Sequence, residues 1–126
     1  MVLLEQKGGK DLRNRLYESL NLSVDRYSRA INYFFELDPV CVETENDLDS
    51  RDIVEILLNE LRSDYDLESL EARVSTSDEL LKSKFEYYAR SGGLGKLLKE
   101  CPYLEIPYYP DSFWWRHPSK ILQELK

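Results

Sequence analysis

The sequence predicts an all-α fold, a compact bundle of about five to six helices that ends in an irregular, aromatic and proline-rich segment. Three observations carry this. Apolar residues recur at spacings of three and four along most of the chain, which is the period of a helix face. No stretch of six or more residues alternates between apolar and polar, so no strand is expected. Pro102, Pro107, Pro110 and Pro118 then forbid a continuous helix near the C-terminus. A chain of 126 residues fits one domain, divided here into a bundle (1–101), a wrapping segment (102–118) and a short terminal helix (119–126).

The first helix is expected over Lys10 to Leu20, where Leu12, Leu16 and Leu20 share a face beside Tyr17. Asn21-Leu22-Ser23 reads as a break, with Ser23 capping a second helix that carries Val24, Tyr27, Ile31, Phe34 and Phe35 until Asp38-Pro39 stops it. Val40 to Ser50 reads as an acidic loop with a short extended stretch at 40–43. Asp49-Ser50 would cap the third helix, Arg51 to Ser63, whose Ile53, Val54, Leu57, Leu58 and Leu61 form a stripe broad enough for the centre of the core. A short helix with Leu67, Leu70 and Val74 follows a break at Ser63-Asp64. Thr76 and Glu79 fit a capping box that opens a fifth helix, ending at Gly92-Gly93. Leu94 to Cys101 makes a brief sixth, closed by Pro102, and Ser119 caps a last turn or two with Ile121, Leu122 and Leu125.

Composition excludes several function classes. Apolar residues make up 42% and charged residues 33% of the chain, the balance of a folded protein with a core. No run of 18 or more apolar residues could span a membrane, and the opening residues lack the pattern of an export signal, so a cytoplasmic location is expected. Two cysteines, Cys41 and Cys101, and one histidine, His117, cannot supply a zinc site at these spacings. Both cysteines are expected as small buried thiols, without a disulfide. His117 is expected to be packed or hydrogen-bonded beside the tryptophans. Gly8-Gly9-Lys10 and Gly92-Gly93-Leu94-Gly95-Lys96 are not phosphate loops, and the glutamates and aspartates lack the glycine and terminal glutamate of a calcium loop. No cofactor, metal or catalytic residue is therefore expected.

Charge is distributed unevenly. Residues 1–35 carry six basic and four acidic side chains, residues 80–126 eight basic and five acidic. Residues 36–79 hold fifteen acidic side chains against Arg51, Arg62 and Arg73, a net of −12 in a chain of net −7. Direct nucleic-acid binding, which needs clustered lysine and arginine, is disfavoured. A protein partner with a basic surface is favoured, because complementary potentials speed and select encounters. The residues expected to face it are Glu43, Glu45, Asp47, Asp49 and Asp52.

Tyr103, Tyr108, Tyr109, Phe113, Trp114 and Trp115 put six of the fifteen aromatics into thirteen residues. Such a segment either wraps over the bundle or is presented to a partner. Neighbouring side chains of an extended segment point opposite ways, so one of Trp114 and Trp115 is expected inward and the other outward. The outward ring, beside Arg116, is the expected anchor for a partner.

Asp11-Leu12-Arg13-Asn14-Arg15-Leu16-Tyr17-Glu18-Ser19-Leu20 and the helix–glycine–helix pattern Tyr87-Tyr88-Ala89-Arg90-Ser91-Gly92-Gly93-Leu94-Gly95-Lys96-Leu97-Leu98 resemble bacterial death-like, effector-associated adaptor domains. These two segments cover under a fifth of the chain. The resemblance implies a small helical bundle without catalytic residues that docks partners by complementary charge. The expectation is a non-enzymatic adaptor or regulator. Two rivals stand beside it: an acidic inhibitor that mimics nucleic-acid phosphates, and an enzyme whose site would join His117 or Cys101 to carboxylates in a deep pocket.

Overall fold

A computed structural model describes residues 2–34 and 41–124, with side chains from 10 in the first stretch and from 43 in the second. Among these residues there are five α-helices and no strand: α1 (Val2–Tyr33), α2 (Cys41–Leu61), α3 (Glu68–Ser91), α4 (Gly93–Glu100) and α5 (Pro118–Glu124). Pro102–Leu104 and Trp114–Arg116 add single 3-10 turns. The all-α expectation holds.

Four boundaries differ from the sequence reading. The first is the start of α1, at Val2 rather than Lys10. No break occurs at Asn21-Leu22-Ser23, because Leu20, Val24, Tyr27, Ile31 and Phe34 keep one continuous buried face. Asn21 instead donates its side-chain amide to the Tyr17 carbonyl one turn back. The acidic loop is likewise helix from Cys41 onward. Buried Thr44 and Leu48 extend the same stripe toward Arg51, Val54, Leu58 and Leu61, and carboxylates near a helix N-terminus favour its dipole. Ser50 is therefore inside α2, bonded to the Asn46 carbonyl, and caps nothing. The capping box at Thr76 is absent for the same reason: Thr76 Oγ1 donates to the Ala72 carbonyl within α3. The stop at Asp38-Pro39 and Leu125 lie outside the described residues.

Side-chain pairs give the helix directions. Arg13 of α1 bonds Glu60 near the end of α2, whereas Tyr27 lies beside Arg51, so α1 and α2 run antiparallel. Along α1 and α3 the partners climb together: Ser28 with Ser77, Ile31 with Lys84, Phe34 with Phe85. The three long helices thus form an up-down-up bundle. Lys84 Nζ donates to the Ile31 and Asn32 carbonyls at 2.7 and 3.0 Å, placing a cation at the negative end of α1.

Gly92 ends α3 in the left-handed conformation, at φ +85°, which a side chain would strain. That turn directs α4 across the bundle, where Leu94, Leu97 and Cys101 are buried. Cys101 is disulfide-bonded, which corrects the expectation of a free thiol. The chain's other cysteine is Cys41. Disulfides persist in oxidising compartments, and this one weighs against the cytosolic expectation. No helix among the described residues is long and apolar enough to cross a membrane.

Beyond α4 the aromatic segment folds back over α2 and α3. Ile106 N–H donates to the Arg116 carbonyl and ties the two ends of the excursion together. Ser119 was expected as a helix cap, but its N–H and hydroxyl both donate to the Glu105 carboxylate.

Candidate functional site

Trp115 is the centre of the wrapped segment and is wholly buried. Its indole N–H donates to Asp52 Oδ1 at 2.6 Å. Arg116, only 1% exposed, grips the same carboxylate through Nε (3.1 Å) and Nη2 (2.7 Å). It also bonds Asp49 at 2.5 Å and the Leu104 carbonyl at 3.3 Å. On the other side of the indole, Arg51 lies 4.1 Å from the ring centroid and pairs with both oxygens of Asp78 at 2.8 and 2.9 Å. Glu55 is a further partner of Arg51, at 3.2 Å. The Tyr27 hydroxyl donates to Asp78 at 2.6 Å. Two arginines and their carboxylates thereby lock α1, α2, α3 and the C-terminal segment around one tryptophan.

The shifts follow from this geometry. Burial works to lower both guanidinium pKa values, but the hydrogen bonds and charges of Asp78 (for Arg51) and Asp52 (for Arg116) overcome it and raise them. Burial, reinforced by Asp78, pushes the Tyr27 phenol up. All of these groups keep their ordinary charge at neutral pH.

Three expected partner-binding residues are corrected here. Asp52, Trp115 and Arg116 are interior, because a bidentate arginine–carboxylate pair and an indole hydrogen bond satisfy each other there. Trp115 and Arg116 of the expected anchor are buried, which leaves Trp114 alone with exposed surface. Of the neighbouring rings, Trp115 points in and Trp114 is half-buried at the rim of a cleft. The premise of an unneutralised acidic patch also narrows. Asp49, Asp52, Glu55, Glu60, Asp64, Glu71 and Asp78 all pair with arginines of the chain itself.

What remains is the outer face of α2. Glu45, Asp49, Ile53, Ile56 and Glu60, spaced four, four, three and four apart, form one stripe. Ile53 and Ile56 are 45% and 58% exposed. Asp49 and Glu60 keep about half of their side chains in solvent despite their arginines. Glu43 is exposed at the head of the helix. Asp47, four residues on, is half-buried, and burial together with the charge of Glu43 pushes its carboxyl up to about 6.

A second concave feature, of about 320 Å³, opens between α3 and the C-terminal segment. Lys82 and Glu86 of α3 line it together with Asp111, Trp114, His117, Lys120, Ile121 and Glu124 of the C-terminal segment. His117 Nε2 lies 3.0 Å from the Tyr109 carbonyl and 3.2 Å from that of Pro110. Carbonyls only accept, so Nε2 carries a proton and pins that loop. Lys120 bonds Asp111 at 2.6 Å, and that hydrogen bond with the lysine's charge holds the Asp111 carboxyl below its usual range. No signal in the sequence marked Lys82 or Glu86, because helix and loop meet only in the fold. Among the described residues no cluster of three or more histidine, cysteine or carboxylate side chains could hold a metal.

No family model matches the chain, and neither a curated protein nor a solved structure resembles it significantly. Its surfaces carry the functional argument.

Proposed function

We propose that this protein is a non-enzymatic interaction module that docks a basic, amphipathic partner segment on the outer face of α2. The observation that carries the reading is the pair Ile53 and Ile56, exposed one turn apart on a helix with seven acidic residues and one basic residue. Paired apolar anchors flanked by carboxylates complement a helix that presents leucine-like residues between lysines and arginines. Charge-complementary docking is also what the resemblance to death-like adaptor domains implies. The phosphate-mimic alternative is weaker, since seven of the carboxylates it would offer already carry guanidinium partners.

A library of helical peptides with apolar residues at i and i+3 or i+4 among basic residues tests the proposal. Binders are expected to shift amide resonances along α2 and to weaken as salt rises. They should lose at least about tenfold in affinity against Ile53→Glu/Ile56→Glu or Glu43→Lys/Glu45→Lys. Failure of every basic peptide, or binding indifferent to both double substitutions, overturns it.

A further inference from the structure

We infer that the cleft between α3 and the C-terminal segment is a binding site for a small zwitterion with an apolar or aromatic body, of the size and chemistry of a free amino acid. The volume, about 320 Å³, is at the small end of the range for ligand sites. Its walls are already fixed. The His117 bonds to the Tyr109 and Pro110 carbonyls hold the loop on one side and the regular helix α3 forms the other, so the backbone of neither wall has to order when a ligand enters. Asp111 already occupies the Lys120 ammonium.

The groups left over define the ligand. Lys82 and Glu86 stand one turn apart on the same face of α3, and neither has an ion-pair partner among the described residues. Lys82 Nζ instead rests 4.8 Å from the centroid of the Trp114 ring. Glu124 adds a second carboxylate from α5. A simple anion would meet Lys82 but be repelled by Glu86 and Glu124. A simple cation would meet the carboxylates but be repelled by Lys82. A molecule with adjoining carboxylate and ammonium groups satisfies both at once. As Lys82 moves from the ring onto the ligand carboxylate, it uncovers the indole face, and the apolar body can lie against Trp114 and Ile121.

The test follows the indole N–H resonance of Trp114 during titration with free phenylalanine, tryptophan and leucine to about 10 mM, a range that captures millimolar affinity. A saturable shift is expected with at least one of them. The N-acetyl and carboxamide derivatives, each lacking one charge, should bind at least about tenfold more weakly. Lys82→Met and Glu86→Gln should each cause a comparable loss. Both side chains are exposed, and a matched thermal unfolding curve verifies that the variants fold. The absence of a saturable shift with all three amino acids overturns the inference. So does equal binding of either derivative, or unchanged affinity in both variants.

Discussion

The two faces of α2 carry the same kinds of residue and use them in opposite ways. On the inner side, Asp52 meets Arg116 and Trp115, and Arg51 meets Asp78, Glu55 and Tyr27. On the outer side, Glu43 and Glu45, without arginine partners among the described residues, share the helix with two isoleucines that stay about half exposed. Negative charge becomes architecture where an arginine from another element can reach it, and surface potential where none can. Net charge per segment therefore measures neither role. The difference between the faces can be broken experimentally, beginning where the largest effect is expected.

Removing one partner of a buried charge pair strands the other without water. Arg116→Met should therefore cost about 3–5 kcal/mol, a substantial part of the stability of a domain this size. Asp52→Leu combined with Arg116→Met removes both charges and should recover much of that loss, although the Trp115 indole N–H then lacks its acceptor. Urea unfolding of the single and double variants measures both effects. A single variant as stable as the parent would show that the inner face is held by packing alone.

The inner network explains which features were legible in the sequence and which were not. Periodicity located the buried apolar residues of the three long helices except Leu48. It also put Leu12, Ile53 and Leu80 on core faces although they are exposed, and it missed the buried polar residues of α2. Gly92 ended α3 where glycine was expected. Serine and threonine misled, because Ser50 and Thr76 bond backward to carbonyls inside helices, using the same chemistry that caps a helix start. The acidic run misled for a related reason. Its helical stripe rests on Thr44 and Leu48, spaced correctly but only one of them apolar. Asp52 and Arg116 lie 64 positions apart, and their pairing depends on the path taken after Gly92, which no local pattern encodes. The unequal burial of Trp114 and Trp115 agrees with the expectation, but its basis does not, since the pair sits in a 3-10 turn rather than an extended segment and the rings touch edge to face at 5.6 Å. Which ring would be buried was not readable.

Asp47 tests the boundary between the faces. Its carboxyl is raised to about 6, chiefly by burial and then by Glu43, so the folded state holds its proton over a pH range in which the unfolded chain, near 3.8, releases it. Stability from this group is thus fully present below about pH 4 and is lost as pH rises through 6. Solvent contact at this half-buried site reduces the effect to about 1 kcal/mol. Asp47→Asn should flatten the stability profile between pH 4 and 6 and stabilise the protein at neutral pH by a similar amount. A profile unchanged by the substitution would place Asp47 with the solvated carboxylates of the outer face.

The smallest effect belongs to an ion pair with the geometry of the inner network but the surroundings of the outer surface. Arg62 Nε bonds Glu71 at 2.8 Å, as close as Arg51 does Asp78, yet both side chains of the first pair are at least two-fifths exposed. Water already solvates both charges there, so little is gained when they meet and little is stranded when one is removed. A double-mutant cycle with Arg62→Ala and Glu71→Ala should return a coupling below about 1 kcal/mol that fades with added salt. The corresponding cycle at Arg116 and Asp52 should return several times as much, with weak salt dependence. Equal couplings at the two sites would mean that burial does not separate them, and that distance alone sets what an arginine contributes in this fold.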